Sequence, residues 1–250
     1  MRKITFFLPL AALALTACGY SVSDAVDDIK KSDGSAFEDG KTISTTASTT
    51  AEFSVVKALG PDNIIFVTGG AFTIKAEGNA KAIATLRYKL EDDTIKIGRT
   101  KGNWFGDEGE GVTITITAPK LSAASLAGSG DFTADKMEGD TVKVKIAGSG
   151  SLKVAEVAAK TLEAKIAGSG DAIIAGTADN IDFSVAGSGT INGQKLTATN
   201  AEISIAGSGD VSINATGKVE AKVAGSGDIN VTGGATCASK SMGSGSINCS

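Results

Sequence analysis

The 250-residue chain holds 32 glycines but only 3 prolines, 9 Phe, 2 Tyr and 1 Trp, and its formal net charge is -4. It has no histidine, which excludes serine triads, Cys-His dyads and histidine metal sites. No basic run stands out that could track a phosphate backbone, so nucleic acid is not an expected partner.

In chain order, residues 1–17 read as a lipoprotein signal peptide. Arg2 and Lys3 precede the apolar run Ile4 to Leu15, broken only by Thr5 and Pro9, which is too short to span a bilayer. Leu15-Thr16-Ala17-Cys18 has the form of the bacterial lipobox. It marks Cys18 for lipidation, with the membrane as partner through acyl chains that anchor stably. Gly19, rather than Asp, follows the cysteine, which points to the outer membrane. Cleavage removes two basic groups and leaves the mature chain more acidic than the whole. Residues 18–47 mix charged and small polar side chains with few apolar ones, the composition of a flexible spacer.

Residues 48–250 read as one domain, with irregular N-terminal coils and a cap over 48–120 and regular repeats over 121–250. Strands are expected at Phe53-Ser54-Val55-Val56, Ile64 to Val67, Phe72-Thr73-Ile74, Thr94 to Ile97 and Val112 to Ile116. Ala80 to Tyr88, with Ile83 and Leu86 on one side, reads as a short helix over the first coils. The polar, Gly-rich loop Arg99 to Gly111 carries Trp104 and Phe105, an aromatic pair suited to contact a partner or to fold back as a lid.

From Gly128 onward Gly-Ser-Gly occurs seven times, with successive spacings of 20, 20, 19, 20, 18 and 18. That is the period of a solenoid. Apolar and polar residues alternate before each triplet, as in Val142-Lys143-Val144-Lys145-Ile146, and period two means strand. Three inward columns follow when the coils are aligned on the triplet. Leu126, Ile146, Ile166, Val185, Ile205, Val223 and Ser241 form the first, and Phe132, Leu152, Ala172, Ile191, Val211, Ile229 and Ile247 the second. Ala124, Val144, Ala164, Phe183, Ile203, Ala221 and Ser239 form the third. One coil cannot bury its apolar side alone, whereas coils stacked about 4.8 Å apart pair every backbone. The fold class expected is all-β, a single right-handed parallel β-helix with coils of about 18–20 residues, Gly-Ser-Gly corners and about 10 coils in all.

The corner acid position runs Asp131, Ser151, Asp171, Thr190, Asp210, Asp228, Ser246. The match to Ca²⁺-binding Gly-Gly-x-Gly-x-Asp repeats is poor, because those recur every nine residues and keep their Asp. Asp and the central serines, Ser129 to Ser244, are read instead as groups that satisfy corner amides. No metal site, cofactor or catalytic residue is expected. Cys237 and Cys249 lie six residues before and after the first Gly of the last triplet, so both should point inward, and a disulfide between them would close the end of the rod.

Gly60-Pro61 before a strand, the stretch Thr117-Ala118-Pro119-Lys120-Leu121 and the serial Ala-Gly-Ser-Gly-Asp coils give residues 50–249 a likeness to a known family. The chain resembles the bacterial "putative auto-transporter adhesin, head GIN domain" family. The resemblance implies a secreted or lipid-anchored envelope protein with a β-helix fold and no established activity, and it transfers no functional residue. The Cys237 and Cys249 pair departs from that pattern. The expected function is a non-enzymatic, adhesin-like surface or structural module whose partner is an envelope protein or an extracellular polysaccharide. The alternative is a carbohydrate-binding or carbohydrate-active β-helix protein with an acidic groove, for which Glu163, Asp182 and Glu202 are the nearest candidate carboxylates.

Overall fold

The computed structural model describes residues 37–43, 47–49, 52–100 and 111–250. Cys18, the signal peptide and the Trp104 and Phe105 pair lie outside the described residues.

The described chain is nearly all strand and forms a β-solenoid of about six turns. Its regular part begins with β9 (Ala123–Gly128) and β10 (Phe132–Gly148), and continues through β11 (Ser151–Gly168), β12 (Asp171–Gly187) and β13 (Thr190–Gly207). It ends in the shorter pieces β14 (Asp210–Ala215), β15 (Lys218–Gly225), β16 (Ile229–Thr232), β17 (Thr236–Gly243) and β18 (Ile247–Cys249). All of these pair in parallel, with corner on corner: Gly128, Gly148, Gly168, Gly187, Gly207, Gly225 and Gly243 are in register. Each coil contributes one strand before its corner and one after it, so two sheets face each other across the core.

The three expected columns are the core of these coils. Every member from Ala124 to Ile229 is buried, with Phe132 and Phe183 fully so. Ser239 and Ser241, in the last coil, are exposed.

A short third wall was not legible in the repeats. The sequence Met137-Glu138-Gly139-Asp140 reads as a turn, yet it continues β10 and Met137 pairs with Val157, then Gly176, then Leu196. Met137, Val157 and Leu196 are buried. The shortening to 18 residues takes this wall away, and the ladder skips from Gly193 to Thr197 where β13 meets β14.

At the corner, the backbone N–H of the central serine donates to the first glycine of the coil before it, as Ser169 does to Gly148 O at 2.9 Å. The serine side chains stand exposed, so the expected satisfaction of the corner by their hydroxyls is replaced by this main-chain bond. Gly168 sits at φ +128°, a conformation that L side chains rarely adopt.

The N-terminal region corrects the expected count of about 10 coils. Here β3 (Val55–Gly60), β4 (Asn63–Thr68), β7 (Thr94–Arg99) and β8 (Thr113–Ala118) extend both sheets in parallel. The sheets are then closed by antiparallel strands: β5 (Phe72–Glu77) on β8, β6 (Leu86–Glu91) on β7, β1 (Lys41–Thr42) on β6, and β2 (Ala47–Thr49) on β5. The helix expected over Ala80 to Tyr88 is shorter, α1 (Ala80–Thr85). Asn79 caps it through Oδ1 to the N–H of Lys81 at 2.8 Å. From Leu86 the alternation of buried Leu86 and Tyr88 with Arg87 and Lys89 has the period of a strand, and that pattern overrides the alanine-rich helix start. Phe53, Phe72 and Tyr88 pack edge to face under this cap. No helix among the described residues is long and apolar enough to cross a membrane.

Candidate functional site: the outward faces of the rod

In-register stacking converts scattered residues into lines along the rod. On the second sheet the middle outward line runs Lys75, Thr115, Ile65, Thr133, Lys153, Ile173, Asn192, Ser212, Asn230, Asn248. Hydroxyls, amides and aliphatic groups dominate it. Ile65, Val67 and Ile173, at 39, 39 and 46% exposure, are three of the four exposed large apolar side chains among the described residues; the fourth is Met242. Amide stacking orders part of the line, since Asn248 Nδ2 donates to Asn230 Oδ1 at 3.1 Å.

The acid line at the corner flanks this face, and its carboxylates bond to backbone. Asp131 Oδ1 accepts the N–H of Ser151 at 3.1 Å, Asp171 Oδ1 that of Thr190 at 3.1 Å, and Asp210 Oδ1 that of Asp228 at 3.0 Å. Asp228 Oδ1 accepts both the N–H and the hydroxyl of Ser246, which hold its carboxyl below the usual aspartate range. Above Ser151, the N–H of Asp171 donates to Gly150 O at 3.3 Å, a bond that the N–H of Thr190 also makes to Gly170 O at 3.3 Å beside its bond to Asp171. Alternating Asp with Ser or Thr keeps most acids two rungs apart, about 10 Å, and so avoids stacked like charges.

The first sheet carries ionic lines. One runs Lys89, Lys96, Lys57, Ser125, Lys145, Lys165, Ser184, Ser204, Lys222, Lys240. Beside it stand Lys143, Glu163, Asp182, Glu202 and Glu220 in successive coils. Lys143 pairs with Glu163 at 3.5 Å, and Lys222 with Glu202 at 3.3 Å and Glu220 at 3.6 Å. Burial pushes the Asp182 carboxyl up from its ordinary value; Lys165 opposes this, while Glu202 and Glu163 add to it. The three carboxylates named from sequence thus form one ladder, set among lysines on a strand face. Among the described residues no group of three His, Cys, Asp or Glu is placed to hold a metal ion.

A buried ion pair involves Arg99, which precedes in sequence the segment with Trp104 and Phe105. Arg99 reaches Asp62 through Nε at 2.8 Å and Nη2 at 2.6 Å, and Asp62 Oδ1 also accepts the N–H of Val112 at 2.9 Å. The pair ties Arg99 and Val112 to the turn after β3. Sequence reading missed it, since the partners lie 37 residues apart and nothing in their spacing joins them. At the other end of the rod a disulfide joins Cys237 and Cys249, with Cα atoms 6.6 Å apart. Cys249 is exposed and Cys237 half-buried against the last core layer.

A family model described as "Putative auto-transporter adhesin, head GIN domain" matches residues 52–235. Among solved structures, a "putative adhesin" from Bacteroides fragilis is 25% identical, with TM-score 0.71 over 82% of this chain and 96% of its own. A "putative lipid binding protein" from Parabacteroides distasonis is 24% identical, with TM-score 0.62 over 84% and 98%. A "putative adhesin" from Parabacteroides merdae is 20% identical, with TM-score 0.64 over 84% and 98%. No curated protein matches the chain.

Proposed function

The chain belongs to the "putative auto-transporter adhesin, head GIN domain" family, and from that premise we propose that it is a non-enzymatic envelope lipoprotein whose rigid solenoid serves as an adhesin-like binding module. Acyl chains on Cys18 hold it at the membrane, and Gly19 supports an outer-membrane address. The observation that carries this reading is the charge-poor line on the second sheet, where ten register-locked rungs present hydrogen-bonding groups and exposed Ile65 and Ile173, with Val67 beside Ile65. Ile65 and Val67 adjoin on β4 and Ile173 stands three rungs along, and a face repeated at rung spacing suits an extended partner, either an envelope protein or an extracellular polysaccharide. A rod held by its backbone ladders also meets such a partner with little ordering cost.

The test presents the full chain to a glycan array and to whole cells. Retention that falls when Ile65 and Ile173 are replaced by Lys supports the reading, and retention indifferent to both overturns it. Release of a soluble product would point instead to the carbohydrate-active alternative and the ladder of Glu163, Asp182 and Glu202.

A further inference from the structure

Charge on the first sheet is divided between its two ends. On the strands nearest the N-terminus, β6, β7, β3, β9 and β10, the outward residues include Arg87, Lys89, Lys96, Lys57, Lys143 and Lys145, six basic groups against Glu91, which pairs with Lys96 at 2.6 Å, Asp39, which pairs with Lys89, and Glu163 of the next coil, which pairs with Lys143 at 3.5 Å. On the later coils Lys165, Lys218, Lys222 and Lys240 are balanced by Glu163, Asp182, Glu202 and Glu220. The whole chain is acidic, with a formal charge of -4. A basic half-face on an acidic protein therefore runs against the overall sign.

The described chain also enters on this same half-face. Gly98 faces outward from β7, and a Cβ there would lie 2.7 Å from Phe37 Cζ, so the Phe37 ring covers it. Phe37 is buried in that position, Asp39 pairs with Lys89, and Lys41–Thr42 lies antiparallel beside β6. Residues 19–36 separate Cys18 from Phe37. A stretch of 18 residues reaches at most roughly 60 Å, a length that lets the domain turn either face toward the surface that holds it. Charge then selects the face.

We propose that the basic half-face around Lys57, Lys96, Lys143 and Lys145 docks on the anionic lipid headgroups of the membrane that carries the Cys18 anchor. The docking leaves the second sheet, with its line of hydroxyls, amides and exposed isoleucines, pointing away, toward an outside partner. The arrangement rests on the lipoprotein reading above. Each basic group near an anionic surface gains roughly fivefold in partitioning, and the effect falls off within a Debye length of about 8 Å at physiological salt. Tethering makes this docking intramolecular, so a weak surface attraction suffices.

The experiment uses the lipidated full chain in vesicles of phosphatidylcholine alone or mixed equally with phosphatidylglycerol. Lysines are modified with a membrane-impermeant acetylating reagent and read by peptide mass spectrometry. On the anionic vesicles Lys143 and Lys145 are expected to react about fivefold more slowly, Lys75 and Lys153 on the other sheet to react as before, and high salt to erase the difference. In the K143E/K145E double variant, Lys57 and Lys96 should lose their protection. Equal reactivity of Lys145 on both vesicles, in a chain that floats with them, overturns the docking alone. A chain that fails to float overturns the lipid anchor and the docking together.

Discussion

Replacing Gly168 by Ala tests the corner most directly, because two separate costs meet there and neighbouring glycines isolate each. The Gly168 backbone is at φ +128°, and a Cβ would press into the carbonyl of Gly148, approaching its carbonyl carbon at 3.1 Å. Gly60 supplies the strain alone, with φ +118° and nothing within 4 Å of its Cβ position. Gly170 supplies the collision alone, 2.5 Å from Gly150 O and 2.7 Å from Ile146 Cγ2. Gly70 has neither, with open space around it. A side chain forced into a glycine-only conformation costs about 1 to 3 kcal/mol, and overpacking against a fixed neighbour about 1 to 3 kcal/mol. Gly60→Ala and Gly170→Ala should each fall in those ranges, Gly70→Ala within about 0.5 kcal/mol of zero, and Gly168→Ala near the sum of the two costs. For a chain of this size that sum lowers Tm by roughly 10 °C. Urea unfolding followed by circular dichroism on the four variants reads the series. Gly60→Ala as damaging as Gly168→Ala, or a neutral Gly168→Ala, would refute the reasoning.

The inward columns predict that Ile166→Asp costs more than about 4 kcal/mol and prevents folding, because an unpaired carboxylate enters the core, whereas Lys165→Ser shifts stability by less than about 1 kcal/mol; equal tolerance in thermal melts would reverse the faces. Reducing the Cys237–Cys249 bridge should remove about 2 to 4 kcal/mol and quicken hydrogen exchange in β17 and β18 only, so unchanged exchange there would deny the bridge its role as an end clamp. Asp182 has a raised carboxyl pKa, so its ionised form costs stability above the folded-state pKa and costs nothing below the ordinary aspartate value of about 3.9. Asp182→Asn should therefore raise Tm at pH 7 and leave it unchanged near pH 3, and a Tm loss at pH 7 would contradict the sign.

What the sequence made legible is what repeats. Ile146, Ile166 and Val185 recur at one offset from a fixed triplet, so their column and its burial follow from counting alone. Met137, Val157 and Leu196 do not recur in every coil, and the third wall was therefore mistaken for turn. The lysine line failed for a different reason. Lys57, Lys89 and Lys96 lie far from Lys145 in the chain and join it only through the register of β3, β6 and β7, which mixes parallel with antiparallel pairing. A basic surface assembled across strands leaves no basic run to find. The corner acids and their alternation with Ser and Thr were legible from the aligned triplets, whereas the backbone N–H that each carboxylate accepts depends on the stacking of the next coil.

The stacking of Gly148 on Gly168 and of Gly168 on Gly187 means that an internal coil hands on the same row of carbonyls that it receives. Excising residues 149–168, the 20 residues between two equivalent corners, would join two surfaces that already fit and shorten the rod by one rung, about 4.8 Å. The capped end and the clamped end would stay as they are. Reach is thus adjustable in whole steps by recombination between repeats, and homologues of different height can keep the same base and the same tip.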